Sequence, residues 1–119
     1  MTIENFKEID DTIVLNADNY INKIEGEKLE NLCSTFLTKG IKKFIIDFSA
    51  TDIVNSIGIS ILIGILEKVK HRQGVLLFSG LKKANYDIFN IVGLVGHIPV
   101  LKTEEEALTL IKGAAKANQ

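Results

Sequence analysis

The sequence lacks most features that tie a protein to an oxidising compartment, a membrane or a nucleic acid. Its one cysteine, Cys33, cannot form an internal disulfide, which favours a reducing compartment. Fourteen basic and fifteen acidic residues leave a net charge of −1, so there is no overall attraction to nucleic acid or anionic lipid. The longest apolar run, within residues 57–66, is too short to span a bilayer, and the mixed, acidic N-terminus does not resemble a signal peptide. We therefore expect a cytoplasmic protein with neither a nucleic-acid nor a membrane partner.

Signatures of catalysis and of cofactor binding are also missing. There is no Walker-type phosphate loop, no G-x-G-x-x-G and no H-E-x-x-H. His71 and His97 are the only histidines, and neither has a second ligand-type residue at metal spacing. Cys33 lies on an apolar helical stripe, which is typical of a structural thiol. Since no nucleophile is accompanied by a base and an orienting group, we expect no enzymatic activity, no cofactor and no bound metal.

One arrangement resembles the phosphate-accepting receiver domain of response regulators. In receiver order (acidic pair, phosphate acceptor, hydroxyl, lysine), the residues concerned are Asp10-Asp11, Asp47, Ser79 and Lys102. A receiver follows its acidic pair with a helix, whereas here the pair runs directly into the apparent strand at residues 12–17. The Lys-Pro order of a receiver is also absent, because Pro99 precedes Lys102. The pattern therefore favours a turn at Asp10-Asp11 over a phosphorylated aspartate.

At 119 residues, the chain is long enough to bury one core and too short for two. Short apolar runs predict strands at residues 3–9, 12–17, 44–48, 75–79 and 98–101. The polar pair Asp10-Asp11 should join the first two as a hairpin. From residue 42 onward strands alternate with helices, so these strands should be parallel, with right-handed crossovers. The fold class is therefore predicted to be α/β with a mixed sheet, and Pro99 suits an edge strand.

Four helices are predicted from apolar residues at helical spacing and from capping signals. The first has its apolar face at Leu29, Leu32, Cys33, Phe36 and Leu37, and ends near Gly40. The second spans residues 56–71. The third places on one face Ala84, Ile88, Ile91 and Val92, and Gly93 stops it. The last begins with a capping box in which Thr103 is the N-cap and Glu106 is N3.

The second helix opens on Asn55-Ser56-Ile57-Gly58, which puts polar and small residues at the start of the most apolar segment. Asn and Ser are favoured N-cap residues, so a helix cap is the simplest interpretation. The apolar residues that follow cover an arc of about 240°. Ser60 and Gly64 lie on the remaining narrow stripe, where small side chains let another protein's backbone approach closely. For Gly64, close packing within its own fold is the alternative, and Ile59 and Ile63 lie at the edge of the arc, where they suit a partner surface.

Ser56 itself has a second possible role. A phosphate on Ser56 would lie at a helix N-terminus, where unpaired N–H groups and the helix dipole favour anions. It would add up to roughly two negative charges to a nearly neutral surface. Such a charge would break a protein interface without unfolding the domain, so the position suits a switch.

The run FIIDFSATDIVNSIGISILIGILEKVKHRQGVLLFSG, followed by IFNIVGL and VLKTEEEAL, resembles the STAS domain of bacterial anti-sigma factor antagonists. That family has a strand ending in Asp-Leu-Ser, a short apolar segment, and then Asp-Ser-Ser/Thr-Gly-Leu-Gly at the start of a helix. The resemblance covers about residues 12–111. It implies a STAS-like mixed sheet with helices packed mainly on one face, with residues 1–112 as a single STAS domain and 113–119 as a poorly packed tail.

The resemblance also implies a function. An unphosphorylated antagonist captures an anti-sigma factor, often a serine kinase, and thereby regulates transcription indirectly. Phosphorylation of the motif serine ends the capture, and a metal-dependent serine phosphatase restores it. That serine is Ser56 here, while Asp47 matches the strand-end aspartate. The partner-binding residues expected by position are Asp18, Asn55, Ser56, Ile57, Gly58, Ile59, Ser60 and Gly64.

Several positions depart from the family pattern. Asn55 stands in place of the usual Asp, Ile57 replaces the second hydroxyl residue, and Ser60 replaces the second glycine. The family's Gly-x-Leu-Asp appears here as Ala17-Asp18-Asn19-Tyr20, which removes an acid that helps to meet the partner. These changes favour the alternative of a STAS adaptor that binds its partner constitutively, with Ser56 acting only as a cap.

Overall fold

The computed structural model describes residues 5–117, and the side chains as far as Gly113. The strands within this range are β1 Phe6–Ile9, β2 Thr12–Asn16, β3 Tyr20–Ile21, β4 Lys43–Asp47, β5 Ile53–Val54, β6 Val75–Ser79 and β7 Val100–Leu101. The helices are α1 Lys23–Thr38, α2 Ser56–His71, α3 Lys83–Ile91 and α4 Glu104–Ala117. The backbone of α4 extends into the predicted tail, and residues 118–119 of that tail lie outside the described residues.

The main sheet has five strands in the order β1-β2-β4-β6-β7. β1 and β2 are antiparallel, and β2, β4, β6 and β7 are parallel. Asp10 takes a left-handed conformation in the β1–β2 turn, with φ of 56°, as Asp and Asn do in tight turns. The predicted hairpin, the parallel strands and the edge position of the Pro99 segment are confirmed, although β7 is shorter than predicted.

A second, smaller sheet was not predicted from the sequence. β3 and β5 pair in parallel over two residues each, with Tyr20 opposite Ile53 and Ile21 opposite Val54. Ile21 and Val54 are buried, while Tyr20 and Ile53 are exposed. Strands of two residues carry too little alternation to be recognised in a sequence. This ribbon fixes the chain immediately before α2.

The two faces of the main sheet are covered unequally. Residues of α1, α2 and α3 pack on one face in a large core cluster that includes Cys33, Leu62, Ile65 and Phe89. On the other face, α4 contributes Ala107 and Ile111 to a smaller cluster. Helices packed mainly on one face are thus confirmed.

The buried face of α3 differs from the prediction. Ile88, Ile91 and Val92 are exposed, with Ile91 at 84%, and Ala84 is exposed as well. Asn85 and Phe89 are buried instead, because the Phe89 ring packs between Phe48 and Phe78 at centroid distances of 5.7 and 5.8 Å. The aromatic side chain buries more apolar area than its aliphatic neighbours and so sets the orientation of this short helix.

The capping box at the start of α4 is formed in part. The Glu106 N–H donates to Thr103 Oγ1 at 3.1 Å. The Glu106 carboxylate accepts from the N–H of Lys102, at 3.3 Å, rather than from that of Thr103. The predicted helix start is confirmed.

Candidate functional site

The start of α2 presents the candidate serine to solvent. Asn55 is the N-cap, in an extended conformation, and its Oδ1 accepts from the Gly58 N–H at 2.8 Å. Ser56 is the first helical residue and is exposed. None of the described residues hydrogen-bonds its hydroxyl. The capping role therefore belongs to Asn55, which leaves the Ser56 hydroxyl accessible at the positive end of a 16-residue helix.

Two of the expected partner-binding residues are buried. A Cβ at Gly58 would lie 2.5 Å from the backbone oxygen of Ile21, so this glycine allows α2 to approach β3. Ile59 is only 9% exposed and belongs to the main core. Packing within the fold accounts for both residues, and partner contact at Gly58 and Ile59 stays a prediction.

Gly64 lies on the side of α2 that faces α1, and Ser60 precedes it by about one helical turn. Ser60 is exposed, and its hydroxyl donates to the Ser56 carbonyl at 3.2 Å. A Cβ at Gly64 would meet the Glu30 carboxylate at 3.5 Å, an ordinary contact, so helix packing does not require this glycine. The close approach of the two helices depends instead on Gly26, where a Cβ would lie 2.9 Å from Ile61 Cδ1. Partner contact at Ser60 and Gly64 stays a prediction.

Exposed apolar side chains lie in the segments around Ser56. Ile53 in β5 is 58% exposed, Ile57 is 50% and Tyr20 is 44%. Tyr20 and Ile53 are neighbours across the β3–β5 ribbon, so their side chains share one face. We call Tyr20, Ile53, Asn55, Ser56 and Ile57 the Ser56 surface. Ile57 was among the predicted partner-binding residues, whereas Tyr20 and Ile53 were not, because their exposure follows from a ribbon that had not been predicted.

The charges nearest to this surface are few. Among the described residues, the first turn of α2 contains no acid. Asp52 forms an ion pair with Lys82, which leaves Asp18 as the remaining carboxylate in the adjoining loops. Asp18 is exposed, and its backbone carbonyl accepts from the buried Thr51 hydroxyl at 2.7 Å. The structure therefore places Asp18 beside the loop that leads to Asn55.

The strand-end aspartate, Asp47, has a structural role. Its Oδ1 accepts from the N–H of Ser49 at 2.9 Å and from the Ser49 hydroxyl, and its Oδ2 accepts from the buried Ser79 hydroxyl at 2.7 Å. These bonds attach the β4–β5 loop to β6. Asp47 ends β4, whereas Asp10 and Asp11 precede β2 at the other end of the parallel strands, so the acidic constellation of a receiver does not assemble.

Other candidate chemistry does not gather in the described part of the chain. Cys33 is fully buried, and that burial raises the pKa of its thiol to about 12, which makes it unreactive. Within residues 5–117, no group of three metal-ligating side chains comes together. None of the helices in that range has the length and apolar content needed to cross a membrane.

Comparison with known proteins adds a family context to this geometry. The family model of the STAS domain matches residues 5–107. A protein of Bordetella bronchiseptica named "Putative anti-sigma factor antagonist BtrV" is 24% identical over 106 residues, which cover 89% of this chain and 91% of that protein. The match extends over most of both chains.

Two solved structures have the same fold. A variant of Moorella thermoacetica RsbS superposes with a TM-score of 0.84 at 18% identity, over 97% of this chain and 99% of that chain. The Bacillus cell fate determinant SpoIIAA in its phosphorylated form gives 0.71 at 20% identity, over 89% and 98%. At these identities the likeness concerns the fold.

Proposed function

The chain belongs to the STAS domain family, and from that premise we propose that it is an anti-sigma factor antagonist controlled by phosphorylation of Ser56. Unphosphorylated, it captures an anti-sigma factor that is also a serine kinase, and so releases a sigma factor. Phosphorylation of Ser56 ends the capture, and a serine phosphatase restores it. The activity is binding rather than catalysis, it regulates transcription indirectly, and it takes place in the cytoplasm.

The observation that carries the proposal is the unbonded Ser56 hydroxyl beside exposed apolar side chains. Ile53, Ile57 and Tyr20 give the Ser56 surface an apolar character, which suits contact with another protein. A phosphate there would bring up to roughly two negative charges into the interface. The partner would have to desolvate those charges without an ion pair to compensate, so its affinity falls.

The same phosphate leaves the domain folded. It would lie at the N-terminus of α2, where unpaired N–H groups and the dipole stabilise an anion. Asn55, not Ser56, supplies the cap, so modification of the serine removes no structural hydrogen bond. Phosphorylation would therefore weaken partner binding while it stabilises the start of α2. The interface can then be switched without unfolding of the domain.

Two relatives support this proposal. BtrV is named as an anti-sigma factor antagonist, and SpoIIAA, described as an anti-sigma factor antagonist, has been solved in phosphorylated and unphosphorylated forms. The transfer to this chain rests on its own Ser56, because the identities are low.

A second function is favoured by the contact between Asn55 and Tyr20, two positions that depart from the family pattern. In this alternative the domain is a constitutive adaptor, and Ser56 is not modified. One of the similar structures is a stressosome assembly, a setting in which such a domain would serve as an adaptor.

Two measurements separate the two functions. Mass analysis of the protein purified from its host, in growth and under stress, should find a single phosphate on Ser56. Ser56→Ala and Ser56→Asp baits, first checked for equal thermal stability, should then capture an anti-sigma factor strongly and weakly, respectively. An unmodified protein in all conditions, together with equal capture by both baits, would reject the switch and support the adaptor.

A further inference from the structure

The edge of the main sheet is incomplete beside β6. All five residues of β6 pair with β4, but β7 pairs only with Phe78 and Ser79. In the described part of the chain, Val75, Leu76 and Leu77 thus have no strand partner on the outer side. β6 is an edge strand over its first three residues.

The backbone of Leu76 is available at this open edge. The Phe78 N–H donates to the Pro99 carbonyl at 3.0 Å. N–H groups alternate in direction along a strand, so the Leu76 N–H points to the same side. It has no backbone acceptor among residues 5–117. Pro99 lacks an N–H and cannot donate to the Leu76 carbonyl, so Leu76 offers both a donor and an acceptor.

An apolar groove of about 320 Å³ follows this edge. Leu66 and Val69 of α2 line it from one face of the sheet, and Leu110 of α4 lines it from the other. Leu110 is 44% exposed. The groove therefore occupies the position of a missing strand, between helices that cover both of its faces.

The charged lining of the groove is basic. Among the described residues that line it, Lys70 is the one charged side chain, and no acidic side chain lines it. Lys70 lies in the last turn of α2, where the helix carbonyls already attract cations. An occupant with an acidic residue next to its apolar residues would complement this lining. A second copy of the chain would instead bring the basic side chain of Lys70 toward its own counterpart, which is unfavourable.

We propose that the open edge of β6 binds an extended apolar segment of a partner protein, flanked by an acidic residue, which adds a strand to the sheet. Main-chain hydrogen bonds to Leu76 would fix the segment, and the groove would select its side chains. Pro99 and Lys70 also protect the edge from indiscriminate pairing, so the site accepts a short segment rather than a long strand. Ser56 and Lys70 are 14 residues apart on α2, ~21 Å along its axis, so the two surfaces can act at the same time.

Titration of the isotope-labelled protein with a blocked peptide, Glu-Val-Ile-Val-Glu, tests the proposal by NMR. We expect saturable shifts centred on the amides of Val75, Leu76 and Leu77, and slower hydrogen exchange at Leu76. Leu110→Glu and Lys70→Glu should each weaken binding by about tenfold. The matched control is Ile91→Glu, which places the same charge on an exposed apolar position of α3 and should leave binding unchanged.

Several results would overturn the proposal. These are the absence of saturable shifts at millimolar peptide, shifts centred on Ser56, or equal weakening by Leu110→Glu and Ile91→Glu. Sedimentation of the free protein adds a further test, since a dimer that Leu110→Glu dissociates would mean that a second copy occupies the edge. Lys70→Glu changes an exposed side chain only, so it keeps the test decisive if Leu110→Glu fails to fold.

Discussion

The side-chain amide of Asn55 donates to the hydroxyl of Tyr20 across 3.4 Å, although 35 positions separate the two residues. Both residues occupy positions where the resemblance to anti-sigma factor antagonists leads one to expect an acid. In this protein, the two neutral side chains contact each other instead. A partner that docks here therefore meets a phenol and an amide where carboxylates were expected, so we expect it to lack a basic residue at that point.

Asn55 provides the first stability prediction. Asn55→Ala removes the acceptor of the Gly58 N–H and should lower the free energy of unfolding by about 1 kcal/mol. Asn55→Asp keeps a capping oxygen and should stay close to the wild type. Urea denaturation monitored by circular dichroism checks this order. Tyr20→Phe, which removes the hydroxyl that Asn55 contacts but leaves the helix cap in place, is the control. If Asn55→Ala proved no less stable than Asn55→Asp, the assignment of Asn55 as the cap would be wrong.

Gly58 and Gly64 should respond in opposite ways to the same substitution. Gly58→Ala forces a Cβ to within 2.5 Å of the Ile21 carbonyl oxygen, and we expect a loss of about 1–3 kcal/mol. Gly64→Ala meets only the Glu30 carboxylate, at 3.5 Å, and should gain up to about 1 kcal/mol from helix propensity. Thermal unfolding of the two variants is the measurement. A gain in stability with a loss of partner binding in Gly64→Ala would support partner contact at that residue.

Phe89 and Ile91 test the orientation of α3. Phe89→Ala removes a buried ring from the cluster with Phe48 and Phe78 and should cost about 3–5 kcal/mol. Ile91→Ala changes a side chain that is 84% exposed and should alter stability by less than about 0.5 kcal/mol. Chemical denaturation of both variants gives the comparison. Similar losses of stability in the two variants would support the buried face of α3 that the apolar spacing predicted.

Because Cys33 is buried, we expect the stability of the protein to depend on pH in the alkaline range. Burial raises the pKa of the thiol from 9.0 to about 12, so above pH 9 the unfolded chain releases a proton that the folded chain keeps. The contribution of the buried thiol to the free energy of unfolding is present in full below pH 9 and is lost as the pH rises toward 12. The free energy of unfolding, measured between pH 8 and pH 11, should fall less steeply in Cys33→Ala than in the wild type. A thiol reagent that labels the native protein as fast as the urea-unfolded chain would contradict the burial.

The sequence was sufficient where an element is long and has clear ends. α2 and β6 were predicted with the observed limits, Ser56–His71 and Val75–Ser79, because apolar runs between polar or glycine boundaries define them. β3 and β5 were missed, since pairs of residues show no periodicity. For α3, the spacing of apolar positions selected Ile91 and left out Phe89, whereas in the fold an aromatic cluster decides which side is buried.

For the candidate site, too, local features were predicted from the sequence and contacts between distant segments were not. The position of Ser56 follows from local capping rules and was found. The burial of Gly58 depends on Ile21, which is 37 positions before it and belongs to a strand that was not recognised. Likewise, Gly26 is the glycine that brings α1 and α2 together, and no local pattern distinguishes it from Gly64. Contacts between distant segments are the part that a single sequence does not reveal.

The segment that leads to Ser56 is attached to the rest of the domain at successive points. Asp47 accepts from Ser49 of this segment and from Ser79 of β6. The Thr51 hydroxyl donates to the Asp18 carbonyl, and Asn85 donates to the Thr51 carbonyl at 3.2 Å. A segment held in this way has little conformational freedom left to lose when a protein docks on it. Association should therefore be close to rigid-body, with a small entropy penalty, and differences among competing partners should appear mainly in how slowly they dissociate.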